Sequence, residues 1–204
     1  MVDCFAVMHV PRRPWLDPES LKQTFFTLSA TLHPDRAHSA READKQQSQD
    51  RFTELNEAYQ RLRDPKTRLQ HLLELETGAP AIQVQRVPAD LMEMGMSIGQ
   101  LCRQADSLLN EKTRSTSPLL QVGIFQQAQE HIQNLRATMD QIESRRQVLL
   151  VRLSELDAEW TARSVPGAAI PAELLQKLEE LYRLFSYCNR WTEQLQERLT
   201  RLSF

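Results

Sequence analysis

Apolar residues recur at alternating spacings of three and four over much of this chain, and this periodicity constrains its fold most. Three such segments follow one another, over residues 91–108, 125–160 and 174–202. This alternation keeps apolar side chains on one face of an α-helix, and a sustained seam packs against other helices as in a coiled coil. The pattern predicts a three-helix antiparallel coiled-coil bundle. Phe125 is expected in its buried seam, with Arg146 as the one polar position of the middle helix.

The scarcity of glycine supports an all-α fold. The chain has five glycines in 204 residues, whereas average proteins contain about 7 % glycine. Few turns with positive φ are therefore available, which disfavours sandwiches, propellers and glycine-rich nucleotide folds. With 41 % hydrophobic residues the chain can still build a core.

Charge and cysteine content exclude several classes of function. The 25 basic and 27 acidic residues give a net charge of −2, without the basic excess typical of nucleic-acid binding. No Cys-x-x-Cys occurs, so no zinc or redox site is expected, and the odd cysteine count fits a reducing compartment. We find neither a secretory signal nor an apolar stretch long enough for a membrane span. We expect a cytoplasmic protein with no cofactor, metal, nucleic-acid partner or membrane partner.

The N-terminal part predicts a helical hairpin. Asp17 and Pro18 suit the N-cap and first position of a helix whose apolar face includes Leu21 and Phe25. Pro34 disfavours helical angles at the residue before it, so this helix should end there. A polar loop over 36–50 and a second helix from Phe52 should follow.

A break near residue 78 divides the chain. Gly78 suits the end of a helix, and Pro80 cannot continue one. The predicted organisation is an N-terminal domain at 1–76, a linker at 77–87 and the helical bundle at 88–204.

The tripeptide His33-Pro34-Asp35 lies between the two N-terminal helices. Taken alone it is weak evidence, because such a tripeptide occurs by chance in about 1 % of chains of this length. The tripeptide could instead form a turn with a purely structural role, since these residue types favour turns. A metal site would use His33, Asp35 and His38 but lacks a convincing fourth ligand. Catalysis would need a nucleophile motif, which is absent.

The surroundings of the tripeptide resemble the J-domain of DnaJ-type co-chaperones. It follows a helix of about 15 residues, and the next helix contains Asn56-Glu57-Ala58-Tyr59 and ends at Asp64-Pro65. The resemblance implies docking on a DnaK-type chaperone and stimulation of its ATP hydrolysis. The ATP site then belongs to the partner, so the chain is not expected to be an enzyme.

The same resemblance implies the chaperone-binding residues. The family's tripeptide lies in the loop that contacts the chaperone, and basic residues of the preceding helix assist it. In this chain these residues are His33, Pro34, Asp35, Lys22 and Arg36. Lys22 is the only basic residue of its helix, which predicts weaker electrostatic steering than is usual in the family.

The order of a J-domain followed by a helical bundle is similar to that of HscB, the iron–sulfur co-chaperone family. Residues 64–75, 87–93 and 193–199 carry this likeness. It implies that the bundle binds an IscU-like iron–sulfur scaffold protein and presents it to an HscA-type chaperone. The matching scaffold-binding residues are Leu91, Met92, Met96 and Leu184.

The likeness departs from the family pattern on the first bundle helix. Gly95, Met96 and Gly99 stand where an apolar residue and acidic residues are expected. Glycines inside a helix cost roughly 1 kcal/mol each relative to alanine, so the helical pattern is interrupted where the resemblance implies a partner surface.

Two other functions fit the same residues. The chain could be a J-domain protein whose helical adaptor serves a different client or complex. It could also be a coiled-coil structural protein in which the tripeptide has no role. The second alternative predicts that His33→Gln changes nothing and that the protein forms stable homo-oligomers.

Overall fold

The computed structural model describes residues 2–32, 42–80, 89–115, 117–163 and 170–203. Every regular element in these ranges is an α-helix, which confirms the all-α class. The helices are α1 (Cys4–Val7), α2 (Pro18–Leu32), α3 (Glu42–Arg63), α4 (Pro65–Thr77), α5 (Ala89–Arg114), α6 (Pro118–Arg163) and α7 (Ala172–Ser203). None of them, as far as the structure describes the chain, is long and apolar enough to cross a membrane.

Local sequence signals set the ends of α2 and α4. The N–H of Ser20 donates a 2.8 Å hydrogen bond to the Asp17 carboxylate, so Asp17 caps α2 as predicted. At the end of α4, Gly78 adopts a φ of 68° and its N–H donates to the carbonyl of Glu74. This left-handed conformation favours glycine, which has no Cβ to clash with the backbone.

The predicted start of α3 is wrong. The helix begins at Glu42 instead of near Phe52, so much of the expected polar loop is helical. Gln46 and Asp50 are exposed and joined by a 2.9 Å hydrogen bond one turn apart. Glutamine and glutamate are good helix formers, and such side-chain pairs stabilise this first part of α3, which contains no large apolar residue.

The chain folds into two compact units. The first unit comprises Met1–Ile82 and Leu150–Tyr182, and the second comprises Gln83–Leu149 and Arg183–Phe204. Helices α6 and α7 each contribute to both units.

The first unit buries an apolar core drawn from six helices and the chain between α1 and α2. Its side chains include Phe5, Met8, Leu16, Leu21, Leu55, Leu62, Leu69, Leu72, Leu153, Trp160 and Leu178.

Polar contacts to α6 also hold the chain between α1 and α2. The Arg13 guanidinium forms an ion pair with the buried Asp157 carboxylate, which also accepts the N–H of Trp15 at 3.3 Å. The indole N–H of Trp160 donates to the carbonyl of Arg12 at 3.0 Å. The end of α6 therefore packs with the N-terminal helices, a long-range contact that the domain assignment did not anticipate.

The second unit contains an antiparallel arrangement of helices. Residues 93–104 of α5 face residues 134–141 of α6 across a shared groove. The Arg146 guanidinium of α6 donates a 2.7 Å hydrogen bond to the side-chain oxygen of Asn189 on α7 and lies over the ring of Phe185. These contacts explain how the seam accommodates its polar position.

The seam begins later on α6 than the periodicity predicts. Phe125 is 63 % exposed, whereas Ala128 and Ile132 are buried. Leu202, near the end of α7, lies beside Phe125 and Ala128. Phe125 thus has a neighbour on α7 but keeps most of its surface exposed, so the prediction of a buried Phe125 is wrong.

Candidate functional site

The sequence His33-Pro34-Asp35 falls between α2 and α3, two helices that contact each other. Phe25 of α2 stacks on Tyr59 of α3 with ring centroids 4.3 Å apart. The hydroxyl of Ser48 on α3 donates a 2.9 Å hydrogen bond to the carbonyl of Leu32, the last residue of α2. Together an aromatic contact and a polar contact fix the position of both helices next to the tripeptide.

The predicted contact residues of the tripeptide, His33, Pro34 and Asp35, lie outside the described residues, as does Arg36. Their assignment to the chaperone-binding site stays a prediction.

The exposed face of α2 carries Lys22 and an aromatic side chain. Lys22 is exposed and its ammonium lies 3.9 Å from the Glu19 carboxylate, a surface pair of little strength. Phe26, one turn further along the same face, is 59 % exposed. Sequence reasoning missed Phe26, although its position beside the apolar stripe of α2 is a signal that could have identified it.

Two buried polar side chains of α4 hold the first unit together. The Arg68 guanidinium donates hydrogen bonds to the carbonyls of Pro14 at 2.8 Å and Leu62 at 2.7 Å. It thereby satisfies backbone groups at the end of α3 and before α2 that water cannot reach.

The second of these side chains is His71. Its Nε2 accepts the N–H of Cys4 at 3.0 Å, and its ring stacks on Phe5. Burial lowers the pKa of His71, and the positive charge of Arg61 lowers it further. The imidazole is therefore kept neutral, which suits an acceptor at the start of α1.

The described residues offer no evident resident metal site. Within these ranges no group of three histidine, cysteine, aspartate or glutamate side chains is placed to hold a metal ion. The unpaired cysteines are buried, and this burial raises the pKa of each thiol, in Cys4, Cys102 and Cys188.

The predicted scaffold-binding residues divide into two groups. Met92 and Met96 are exposed on α5, by 48 % and 66 %. Leu91 and Leu184 are buried, with 0 % and 4 % of their surface accessible. The methionines are thus available to a partner, whereas the leucines pack in the core of the second unit.

The two glycines of α5 have different surroundings. A Cβ on Gly95 would lie 3.2 Å from the Trp191 ring of α7, and a Cβ on Gly99 would lie 3.5 Å from the guanidinium of Arg103. Gly95 therefore lets α5 approach α7 closely. The expectation that both glycines mark a partner surface is wrong for Gly95, which faces the protein's own helix.

The comparison with protein families matches the helices that frame the tripeptide. The model of the DnaJ domain matches residues 3–71. The matched range covers α1 to α3 and the first part of α4, and it includes the His-Pro-Asp sequence. The chain is therefore a J-domain protein.

Relatives extend the match beyond the J-domain. The HscB co-chaperone homologue of Paraburkholderia phymatum is 32 % identical over 148 residues, which are 64 % of this chain and 85 % of that protein. The homologue of Bordetella pertussis is 38 % identical over 72 residues, 35 % of this chain and 42 % of that protein. The chain belongs to the HscB family, the J-domain co-chaperones of iron–sulfur cluster assembly. Its partner is accordingly a chaperone of the Hsp70 type.

A solved structure of chaperone HscB from Vibrio cholerae shares the fold. Its TM-score is 0.50 at 24 % identity, and the match covers 95 % of this chain and 99 % of that chain. The fold likeness thus extends to the helical bundle.

Proposed function

We propose that this protein stimulates the ATPase of a DnaK/HscA-type chaperone and delivers an IscU-like iron–sulfur scaffold protein to it. The observation that carries the proposal is the DnaJ-domain match over residues 3–71, which contains His33-Pro34-Asp35. In this proposal the ATP site belongs to the chaperone, the co-chaperone acts as its regulator, and both proteins work in the cytoplasm. Residues 1–76 form the J-domain, 77–87 the linker and 88–204 the client-binding domain.

Each residue of the chaperone-binding site has a separate physical role. Asp35 accepts a charge-assisted hydrogen bond from an arginine of the chaperone, which is worth about 1.5–3 kcal/mol. Pro34 restricts the backbone, so less conformational entropy is lost on docking. His33 contacts the chaperone, while Lys22 and Arg36 attract its acidic surface. The exposed Phe26 adds an apolar contact beside Lys22.

The client-binding site is centred on α5. Met92 and Met96 make the contacts, since both are exposed and methionine adapts its shape to a partner. Leu91 and Leu184 act from the core by holding α5 and α7 in position.

Steady-state ATPase measurements test the chaperone half of the proposal. We expect His33→Gln in the full chain to reduce stimulation of the cognate DnaK/HscA-type chaperone about tenfold or more, because it removes a central contact. His9→Gln is the matched control, since His9 is an exposed histidine outside the proposed site. Undiminished stimulation by the His33 variant would refute this half.

A calorimetric titration of the full chain with the purified IscU-like scaffold protein of the same organism tests the client half. The full chain is required because residues 150–182 pack with the N-terminal helices. We expect saturable binding that Met96→Ser weakens. A lack of binding at high micromolar concentration would instead favour an adaptor for a different client.

A further inference from the structure

The segment that leads into α2 is held by the end of α6, which follows it by 142 to 148 residues in the chain. The Arg13 guanidinium donates from Nε to one carboxylate oxygen of Asp157 at 3.2 Å and from Nη2 to the other, which makes the pair bidentate. The same carboxylate accepts the N–H of Trp15. The indole N–H of Trp160 donates to the carbonyl of Arg12. Two side chains of α6 thus hold three residues of this segment, through side-chain and backbone atoms.

The same segment sets where α2 begins. The Pro14 carbonyl accepts a hydrogen bond from Arg68 of α4 at 2.8 Å, so each residue from 12 to 15 has a polar contact to a later helix. Leu16 follows and is buried, and Asp17 caps α2. Because these contacts end two residues before the cap, the position of the first turn of α2 depends on them.

Helix α2 is thereby fixed at both of its ends. Its later part packs on α3 through the ring of Phe25, and the carbonyl of Leu32 accepts a hydroxyl of α3. These contacts hold the half of the helix next to the tripeptide, whereas the first turn relies on residues 12–17. A helix of 15 residues is about 22 Å long. A shift at its first turn therefore changes the direction in which the helix presents Lys22.

A buried carboxylate is a poor choice for stability alone. Asp157 is 3 % exposed, and removing a charge from water costs free energy that an ion pair only partly offsets. Apolar residues of similar size often stabilise such a position equally well or better. A carboxylate adds direction, because it holds the Arg13 guanidinium and the Trp15 N–H in one geometry. The contacts of Asp157 therefore favour a role in setting geometry.

We propose that Asp157 is a positioning residue for stimulation of the Hsp70-type chaperone. Through Arg13 and Trp15 it fixes the start of α2, and so the direction in which this helix meets the chaperone. Asp157 acts from α6 without touching the chaperone, so the unit that stimulates the chaperone includes residues 150–182. The inference rests on the proposed stimulation of the chaperone and adds a residue outside the range 3–71 that matches the DnaJ domain.

Steady-state ATPase of the cognate chaperone, measured over a range of concentrations of the full chain, tests this role. Asp157→Asn keeps the size of the side chain and one acceptor oxygen but removes the charge. We expect the concentration for half-maximal stimulation to rise about threefold or more, since only the correctly directed fraction of α2 binds. Maximal stimulation should stay the same, because binding selects that fraction. Asp140→Asn, at an exposed position of α6, is the matched control and should change neither value.

Trp160→Phe provides a second, independent variant. It removes the indole N–H that holds the carbonyl of Arg12 and keeps an aromatic ring in the core. We expect the half-maximal concentration to rise about twofold, and this variant carries the test if Asp157→Asn does not fold. Its control is Trp191→Phe, which alters a buried tryptophan of the second unit. The control should lower the melting temperature without changing the half-maximal concentration.

The outcomes separate this inference from the proposed function. If the unmodified chain does not stimulate the chaperone, the proposed stimulation and this inference both fail. If His33→Gln abolishes stimulation while a folded Asp157→Asn variant has the half-maximal concentration of the unmodified chain, stimulation stands and the positioning role is refuted. A lower maximum at an unchanged half-maximal concentration would show a loss of folded protein instead, which also overturns the inference.

Discussion

Different kinds of interaction stabilise the interior of each of the two units. In the first unit, buried polar side chains of α4 and α6 bind the backbone of other segments, as Arg68, His71 and Asp157 do. In the second unit, apolar side chains fill the seams between helices, and polar pairs such as Asp106 with Arg198 lie at partly exposed positions.

This difference follows from the length and regularity of the segments. The chain between α1 and α2 has no helix of its own over residues 8–17, so its backbone groups need partners from elsewhere. The long helices of the second unit satisfy their own backbone and require mainly a complementary surface. The first unit therefore needs single polar residues in addition to its apolar core, whereas the second relies mainly on complementary packing of its helices.

The largest expected effect on stability tests the buried polar side chain of Arg68 in the first unit. Arg68→Met removes the donors to the carbonyls of Pro14 and Leu62, and we expect a loss of about 3 kcal/mol in the free energy of unfolding. Chemical denaturation followed by circular dichroism measures it. Arg63→Met, at an exposed position of α3, should change stability by less than about 0.5 kcal/mol. Equal losses in both variants would contradict the proposed role of Arg68.

A smaller effect is expected from the titration of His71. Burial lowers its folded pKa below the ordinary 6.5, with a further contribution from Arg61. Protonation therefore favours the unfolded state: the stabilisation is complete above pH 6.5 and is lost as the pH falls through the folded pKa. His71→Gln, which keeps an acceptor but does not titrate, should reduce the slope of stability against pH by up to about 1.4 kcal/mol per pH unit. Denaturation between pH 5 and 7.5 measures the slope, and identical slopes would refute this prediction.

The smallest expected effect on stability tests whether the second unit depends on the close approach of α5 to α7. A Cβ at Gly123 meets nothing within 4 Å, whereas one at Gly95 meets the Trp191 ring at 3.2 Å. We expect Gly123→Ala to raise the free energy of unfolding by about 0.5–1 kcal/mol through helix propensity. Gly95→Ala should yield less than this or destabilise, since the ring must move. Equal gains in a thermal melt would show that the contact between α5 and α7 does not depend on glycine.

The candidate sites illustrate what residue patterns can predict. The motif around His33-Pro34-Asp35 indicated the J-domain because it combines residue types with their spacing between two helices, and the family comparison confirmed it. The exposure of Phe26 and the burial of Leu184 were not predicted. Both depend on which neighbouring segments cover a helix, and spacing along one helix does not contain this information.

The sequence by itself determined the all-α fold and many helix ends, because these follow from interactions within a few residues. Asp17 caps α2, and Gly78 ends α4 with a left-handed backbone. Only the tertiary structure decided the faces on which side chains are covered. Phe125 is 63 % exposed although it continues the apolar periodicity of α6. Asp157 joins the first unit because its carboxylate meets Arg13, 144 residues away in the chain. Such contacts arise from the length and packing of whole helices, which no local pattern records.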